Sequence, residues 1–310
     1  MSRVIQGYMH SDFFYSVHSI ALWNPSPTQS RDRPDLRRRN IQVGDVGYFN
    51  KDGGFDILFN VFLTEQQNID CEFDPPPGFV QFDPPRNVSM TASENIEEDA
   101  YRRSWGGFVH DQRSKGFVPP LILCTQPRTE SRPNSDHIFH ARLSPKKGPV
   151  QASLLVSPNG ISKTTMPIGR LGLLKPYVNA HAEGWCKYYT SQSAGRMIPK
   201  GSLKMVTTSY NSKVWALASY FQKEDKGKST EIYAKLHRVK PDTDVYRWER
   251  SSDPHFAAKT GPSAGDMKDE RAVYENQCVA LEVHSIQINK GVRAVDTMFR
   301  SFRQSMSSLF

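Results

Sequence analysis

Apolar residues recur at steps of three and four between positions 171 and 189: Leu171, Leu174, Val178, Ala182, Trp185 and Tyr189. That spacing puts them on one face of a helix, with Asn179, Glu183 and Lys187 on the other. Pro176 lacks an N–H, and its ring clashes with the preceding turn of a helix. The pattern therefore predicts a continuous helix starting near Lys175, with Pro176 in its first turn and Leu171–Leu174 as a lead-in turn. Gly184 costs about 1 kcal/mol against Ala in a helix interior, a cost that burial of Trp185 offsets.

Alternation of period two marks strands elsewhere. Val43, Val46 and Tyr48 precede Asn50-Lys-Asp-Gly-Gly, and Phe55-Asp-Ile-Leu-Phe-Asn-Val-Phe-Leu follows. Asp52-Gly53-Gly54 supplies the positive-φ residues of a tight turn, so this is a hairpin. Phe55, Ile57, Phe59, Val61 and Leu63 fall on one face of its second strand and Leu58 and Phe62 on the other. A short strand over Ala152–Ser157 closes at Pro158-Asn-Gly. After the helix, Leu203–Thr207, Val214–Phe221, Glu231–Val239, Val245–Trp248 and Gln277–Ile288 are short segments rich in β-branched and aromatic residues. Polar turns separate them, which predicts an antiparallel meander.

Between these elements lie weaker signals. Phe13–Val17 reads as a short strand, Arg37–Arg39 as a basic run in a polar loop, and Asp74–Pro85 as a rigid proline-rich connection. Glu94–Tyr101 is acidic with a helical tendency, Thr125–Gly148 a polar loop, and Ser252–Glu270 a polar interruption. The expected organisation is a single α+β unit over residues 1–289, with loop-rich insertions near 64–100 and 125–148. It comprises an antiparallel meander with one main packed helix and an N-terminal β-hairpin. Residues 290–310 form a basic amphipathic helical tail: Val292, Val295, Phe299, Phe302, Met306 and Leu309 make an apolar stripe, with Lys290, Arg293, Arg300 and Arg303 around it.

Composition narrows the class. Charged residues are 23% of the chain, ordinary for a folded protein. No apolar run approaches 18 residues, so no transmembrane segment is expected, and the first residues lack a secretory pattern. Cys71, Cys124, Cys186 and Cys278 form no C-x-x-C pair and suggest reduced thiols. The net charge is +8. Residues 1–150 hold 17 Lys and Arg against 18 Asp and Glu, and residues 151–310 hold 23 against 14, so the excess lies in the second half. A basic half attracts phosphates or an anionic membrane surface. The excess is scattered and carries no RNA-binding signature, which argues against nucleic acid.

Three stretches resemble an uncharacterised protein family of mushroom-forming basidiomycete fungi. They are Val43-Gly-Asp-Val-Gly-Tyr-Phe-Asn-Lys-Asp-Gly-Gly-Phe-Asp-Ile-Leu-Phe-Asn-Val-Phe, Tyr177-Val-Asn-Ala-His-Ala-Glu-Gly-Trp-Cys-Lys-Tyr-Tyr, and Gly201-Ser-Leu with Trp215-Ala-Leu-Ala-Ser-Tyr. In that family the strand after Gly-Ser-Leu ends in a Cys-Asp-Lys-type turn, where this chain has Ser209-Tyr-Asn-Ser-Lys213. The resemblance implies a fungal, cytoplasmic protein and brings no known activity.

No G-x-S-x-G elbow, P-loop or G-x-G-x-x-G is present, and no cofactor motif is recognised. His137 and His140 are spaced i, i+3 but have no Cys or intervening Glu, so no metal site is expected. Gly44-Asp-Val-Gly47 reads as a ligand-facing backbone or as a turn and bulge. His181, at the margin of the helix's apolar face, is a packing residue or a general base, with Asp45, Asp56 or Ser202 as conceivable partners. These features point to a non-enzymatic binding or interaction protein with a protein partner. The alternatives are peripheral membrane binding through the tail, with Arg293, Phe299, Arg300, Phe302 and Arg303 in contact, and a hydrolase or transferase using His181.

Overall fold

A computed structural model describes residues 19–25, 39–84, 89–96, 137–143, 150–191, 198, 201–222, 232–240, 244–262 and 276–286. Among them, strands β1 (Ser19–Ala21), β2 (Asp45–Phe49), β3 (Phe55–Asn60), β4 (Ala92–Ile96), β5 (His137–Leu143), β6 (Val150–Val156) and β7 (Ile161–Thr165) precede the long helix. Strands β8 (Lys204–Ser212), β9 (Trp215–Gln222), β10 (Ile232–Arg238), β11 (Tyr246–Arg250), β12 (Phe256–Gly261) and β13 (Gln277–Ser285) follow it. The helices are α1 (Glu65–Asp70) and α2 (Ile168–Thr190). The chain is α+β, built mostly of antiparallel sheet.

The described strands form three sheets rather than a meander. The largest runs β1-β13-β8-β2-β3, with β7 on β8 and β4 on β7. One edge of β8 is shared: Lys204 and Met205 pair with β2, and Thr208–Asn211 pair with β7. The other two sheets run β11-β10-β5 and β12-β9-β6. The chain therefore leaves the large sheet after β8, and β9 enters another. Side chains explain the change. Along β9, Ala216, Ala218 and Tyr220 enter one core cluster, and Trp215 and Leu217 enter a second. A strand apolar on both faces is covered on both sides.

Helix α2 runs unbroken from Ile168, so Pro176 lies inside it rather than in its first turn. The bond lost there is to the carbonyl of Gly172, four residues earlier. Both residues face solvent, so neither the missing bond nor the ring disturbs the packed side. The helical stripe is as the spacing predicts: Leu174, Val178, Ala182, Trp185 and Tyr189 are buried, and Leu171 is half-buried against them. They cover Val46, Leu58, Phe59 and Met205 of the large sheet and the adjoining Val61 and Leu203.

In the hairpin, simple alternation fails at one point. Val46 pairs with Phe59 and Gly47 with Ile57, so Leu58 is an extra residue, a β-bulge. Phe55 and Ile57 consequently enter one cluster, whereas Leu58 and Phe59 both enter the α2 core. Gly44 and Gly47 are explained by backbone packing. Gly44 has φ +90° with the Phe62 ring where a Cβ would stand, and a Cβ on Gly47 would overlap the Asp56 carbonyl.

Five segments differ from the sequence expectations. Residues 94–96, expected to be helical, belong to β4 beside β7. The polar loop over 125–148 contains β5, and the polar interruption after 252 contains β12. Cross-strand pairing in a sheet supplies what weak local propensity does not. Ser209–Ser212, read as a turn, is still strand β8. Helix α1 lay in an expected loop; its signal is the capping box Thr64-x-x-Gln67, with both reciprocal bonds formed. Phe13–Val17 lies outside the described residues, as does the tail at 290–310.

Candidate functional site

The structure places His181 on α2 between two aromatic residues. Its ring centroid is 4.7 Å from that of Tyr177 and 5.8 Å from that of Trp185, the latter pair stacked at 13°. Positions 177, 181 and 185 are one turn apart, so the stack follows from helical spacing alone. Trp185 in turn meets Phe59 edge-on at 5.0 Å. Asp45 and Asp56 are engaged elsewhere: Asp45 accepts from Arg39, Asn60 and the Gln42 backbone, and Asp56 accepts from Asn50. His181 packs as a ring.

The same helix holds the proline-rich segment. Tyr189 donates to the Asp74 carbonyl, Tyr188 to the Asp74 carboxylate at 3.2 Å, and Tyr177 to the Val80 carbonyl. Phe79 and Phe82 enter the α2 core. Burial pushes the Tyr177 and Tyr189 hydroxyls far up, so both stay protonated donors. This segment is a strap fixed by three phenols, not a free recognition loop. Among the other aromatic residues, Tyr189 and Tyr210 are buried, and Trp248 donates Nε1–H to the Lys259 carbonyl at 2.9 Å.

A second constellation lies on the three-stranded sheet β11-β10-β5. One side of this sheet is core: Ala234, Leu236 and Tyr246 are buried, with Trp248 packed against them. Alternation sends Tyr233, Lys235 and His237 of β10, and Arg247 and Glu249 of β11, to the other side. Lys235 faces Glu249 across the ladder, and His237 faces Arg247. Glu249 accepts from Lys235 Nζ at 3.3 Å and lies 2.9 Å from His237 Nε2. The Lys235 hydrogen bond, with His237 beside it, holds the Glu249 carboxyl below its ordinary range. On the other edge of β10, the residues in register with Tyr233, Lys235 and His237 are Arg142, His140 and His137 of β5. Pairing thus sets Tyr233, Lys235 and His237 of β10 beside Arg247 and Glu249 of β11 on one side of the sheet, with Glu249 the one carboxylate among these five.

Sequence reasoning weighed the His137/His140 spacing, expected no metal site there, and did not connect these residues with Lys235 or Arg247. The alternation in Tyr233–His237 and Arg247–Glu249 was the available signal. Among the described residues, no three His, Cys, Asp or Glu gather as metal ligands. Arg293, Phe299, Arg300, Phe302 and Arg303 lie outside the described residues. Among the described residues, no helix is long and apolar enough to cross a membrane.

No protein-family model and no curated protein sequence matches the chain. Among solved structures it is similar to the gasdermin A3 membrane pore determined by cryo-EM, at 9% identity over 84% of this chain and 80% of that one. The TM-score of 0.20 is too low to relate the two folds.

Proposed function

We propose that this chain is a non-enzymatic binding protein that holds a polyanionic partner on the outer side of the β11-β10-β5 sheet. The observation carrying this reading is the alignment of Lys235, His237 and Arg247 on a surface whose reverse side is closed by core. Cations fixed on a sheet present a patterned field to phosphates or carboxylates. Acidic proteins and phosphate-bearing surfaces both offer that chemistry. The resemblance to the basidiomycete proteins adds a fungal, cytoplasmic setting to the proposal.

The test is elution of the full chain from a sulfated-polysaccharide resin in a salt gradient. A Lys235→Glu, Arg247→Glu double variant is expected to elute at distinctly lower salt than wild type. The basic tail is identical in both proteins, so it does not contribute to the difference. Equal elution of the two proteins would overturn the reading.

A further inference from the structure

We propose that Ser285 is a site of covalent acylation, with Lys204 as the base that activates its hydroxyl. The inference goes beyond the binding reading. It concerns the large sheet, not the β11-β10-β5 sheet, and one covalent event on the chain.

Lys204 Nζ lies 2.8 Å from Ser285 Oγ, within reach for a base and the nucleophile it serves. The two residues are register partners on β8 and β13, so the ladder sets them side by side. On its other flank Lys204 faces Gly47 of β2, and Gly47 faces Ile57 of β3. The row across four strands is therefore Ser285, Lys204, Gly47 and Ile57, with no carboxylate in it. Two residues along β8 and β13, on the same side, stand Val206 and Val283, in the apolar cluster that also takes in Ile57. The acid of β2, Asp45, is held by Arg39 and Asn60.

This setting suits a base. A lysine accepts a proton only when it is neutral, and a carboxylate partner would keep it charged. Here the partner of Nζ is a hydroxyl, and burial lowers the Lys204 ammonium below the ordinary lysine range. Both residues are half-buried, so the hydroxyl keeps some access to solvent.

The acyl donor is an ester. Ser285 Oγ bonds to its carbonyl carbon, and the bond from that carbon to the alkoxide breaks. The serine proton passes to Lys204 Nζ and from there to the departing alkoxide, which leaves as an alcohol. Nothing is oxidised or reduced.

The experiment is labelling of the full chain with a fluorophosphonate. An activated serine attacks its phosphorus and expels fluoride. Peptide mass spectrometry is expected to place the phosphonyl group on Ser285, and Ser285→Ala should abolish that label. Lys204→Arg keeps a charged donor beside Ser285 but does not give up its proton. It should slow labelling at least about a hundred-fold, the low end for a general base. A bond that only joined the strands would tolerate the arginine. Thermal transitions close to that of wild type will show that the variants fold, and Lys204→Met replaces the arginine variant if that one does not. Unlabelled wild type would overturn the inference, as would label confined to other residues or equal rates for wild type and a folded Lys204 variant. None of these outcomes bears on elution from the sulfated resin, so the binding reading stands or falls separately.

Discussion

The Arg39 guanidinium grips the Asp45 carboxylate through both nitrogens, at 2.7 and 3.3 Å, and Asp45 is fully buried. Asn60 Nδ2 and the Gln42 amide N–H complete the shell at 2.7 and 2.8 Å. Arg39 also lies over the Phe73 ring, 4.6 Å from its centroid. Of the basic run Arg37–Arg39, this member is structural. Arg39→Ala leaves a buried charge without its cation. The expected loss is about 3 kcal/mol, the low end for a broken buried pair, because Arg39 retains 13% exposure. Adding Asp45→Asn should recover part of it. Urea unfolding of the single and double variants measures both, and additive losses would show that the pair is not coupled.

Gly47 stands opposite Ile57 at the bulge, with the Asp56 carbonyl where a side chain would begin. Gly47→Ala must move backbone in the hairpin that packs under α2. The expected cost is at least about 2 kcal/mol, visible as a lowered denaturation midpoint. A variant as stable as wild type would show that the hairpin yields at no cost.

Trp185 and His181 share a stack but not its weight. Trp185 is 3% exposed and braced on Phe59, so Trp185→Ala should cost about 3–5 kcal/mol. His181 is half-buried at the margin of the stack, and His181→Ala should cost no more than about 1.5 kcal/mol, the value of an aromatic pair. Equal losses in thermal or urea unfolding would contradict this packing.

His284 titrates below its ordinary range, first because it is buried and then because Lys175 and Lys204 are near. The unfolded chain therefore binds more protons at this residue between the lowered value and about pH 6.5. Stability rises with pH through that window and falls on acidification. Wild type should lose more stability than His284→Gln between about pH 7 and about pH 5. Identical losses would remove His284 from the acid response.

Glu249 is the carboxylate that ties Lys235 and His237 together. Glu249→Gln releases both side chains and adds one unit of positive charge to the face. It should raise the salt needed to elute the protein from a sulfated resin. Earlier elution would mean that the carboxylate orients the cations for binding rather than competing for them.

Much of the local structure was legible in the chain. The buried face of α2 follows from its three-four spacing, and the hairpin turn from Asp52-Gly53-Gly54, with Gly53 at φ +79°. The start of α2 was misplaced because a proline rule says nothing of which side of a helix faces water. The bulge at Leu58 was invisible, since it exists only relative to β2. Strand β5 was missed because its neighbour β10 lies roughly a hundred residues on, well beyond any local pattern.

The sequence by itself determined which side of each element is apolar, because burial of nonpolar surface selects for the period of helix or strand. Only the tertiary structure decided which strands meet. Backbone N–H and C=O groups on a strand edge are alike for every candidate neighbour, so pairing is settled by which apolar sides can be covered together. That choice placed β9 between two core clusters and set β5 beside β10. It brought Arg142, His140 and His137 into register with Tyr233, Lys235 and His237. Residues far apart in the chain become neighbours in one sheet only through that pairing.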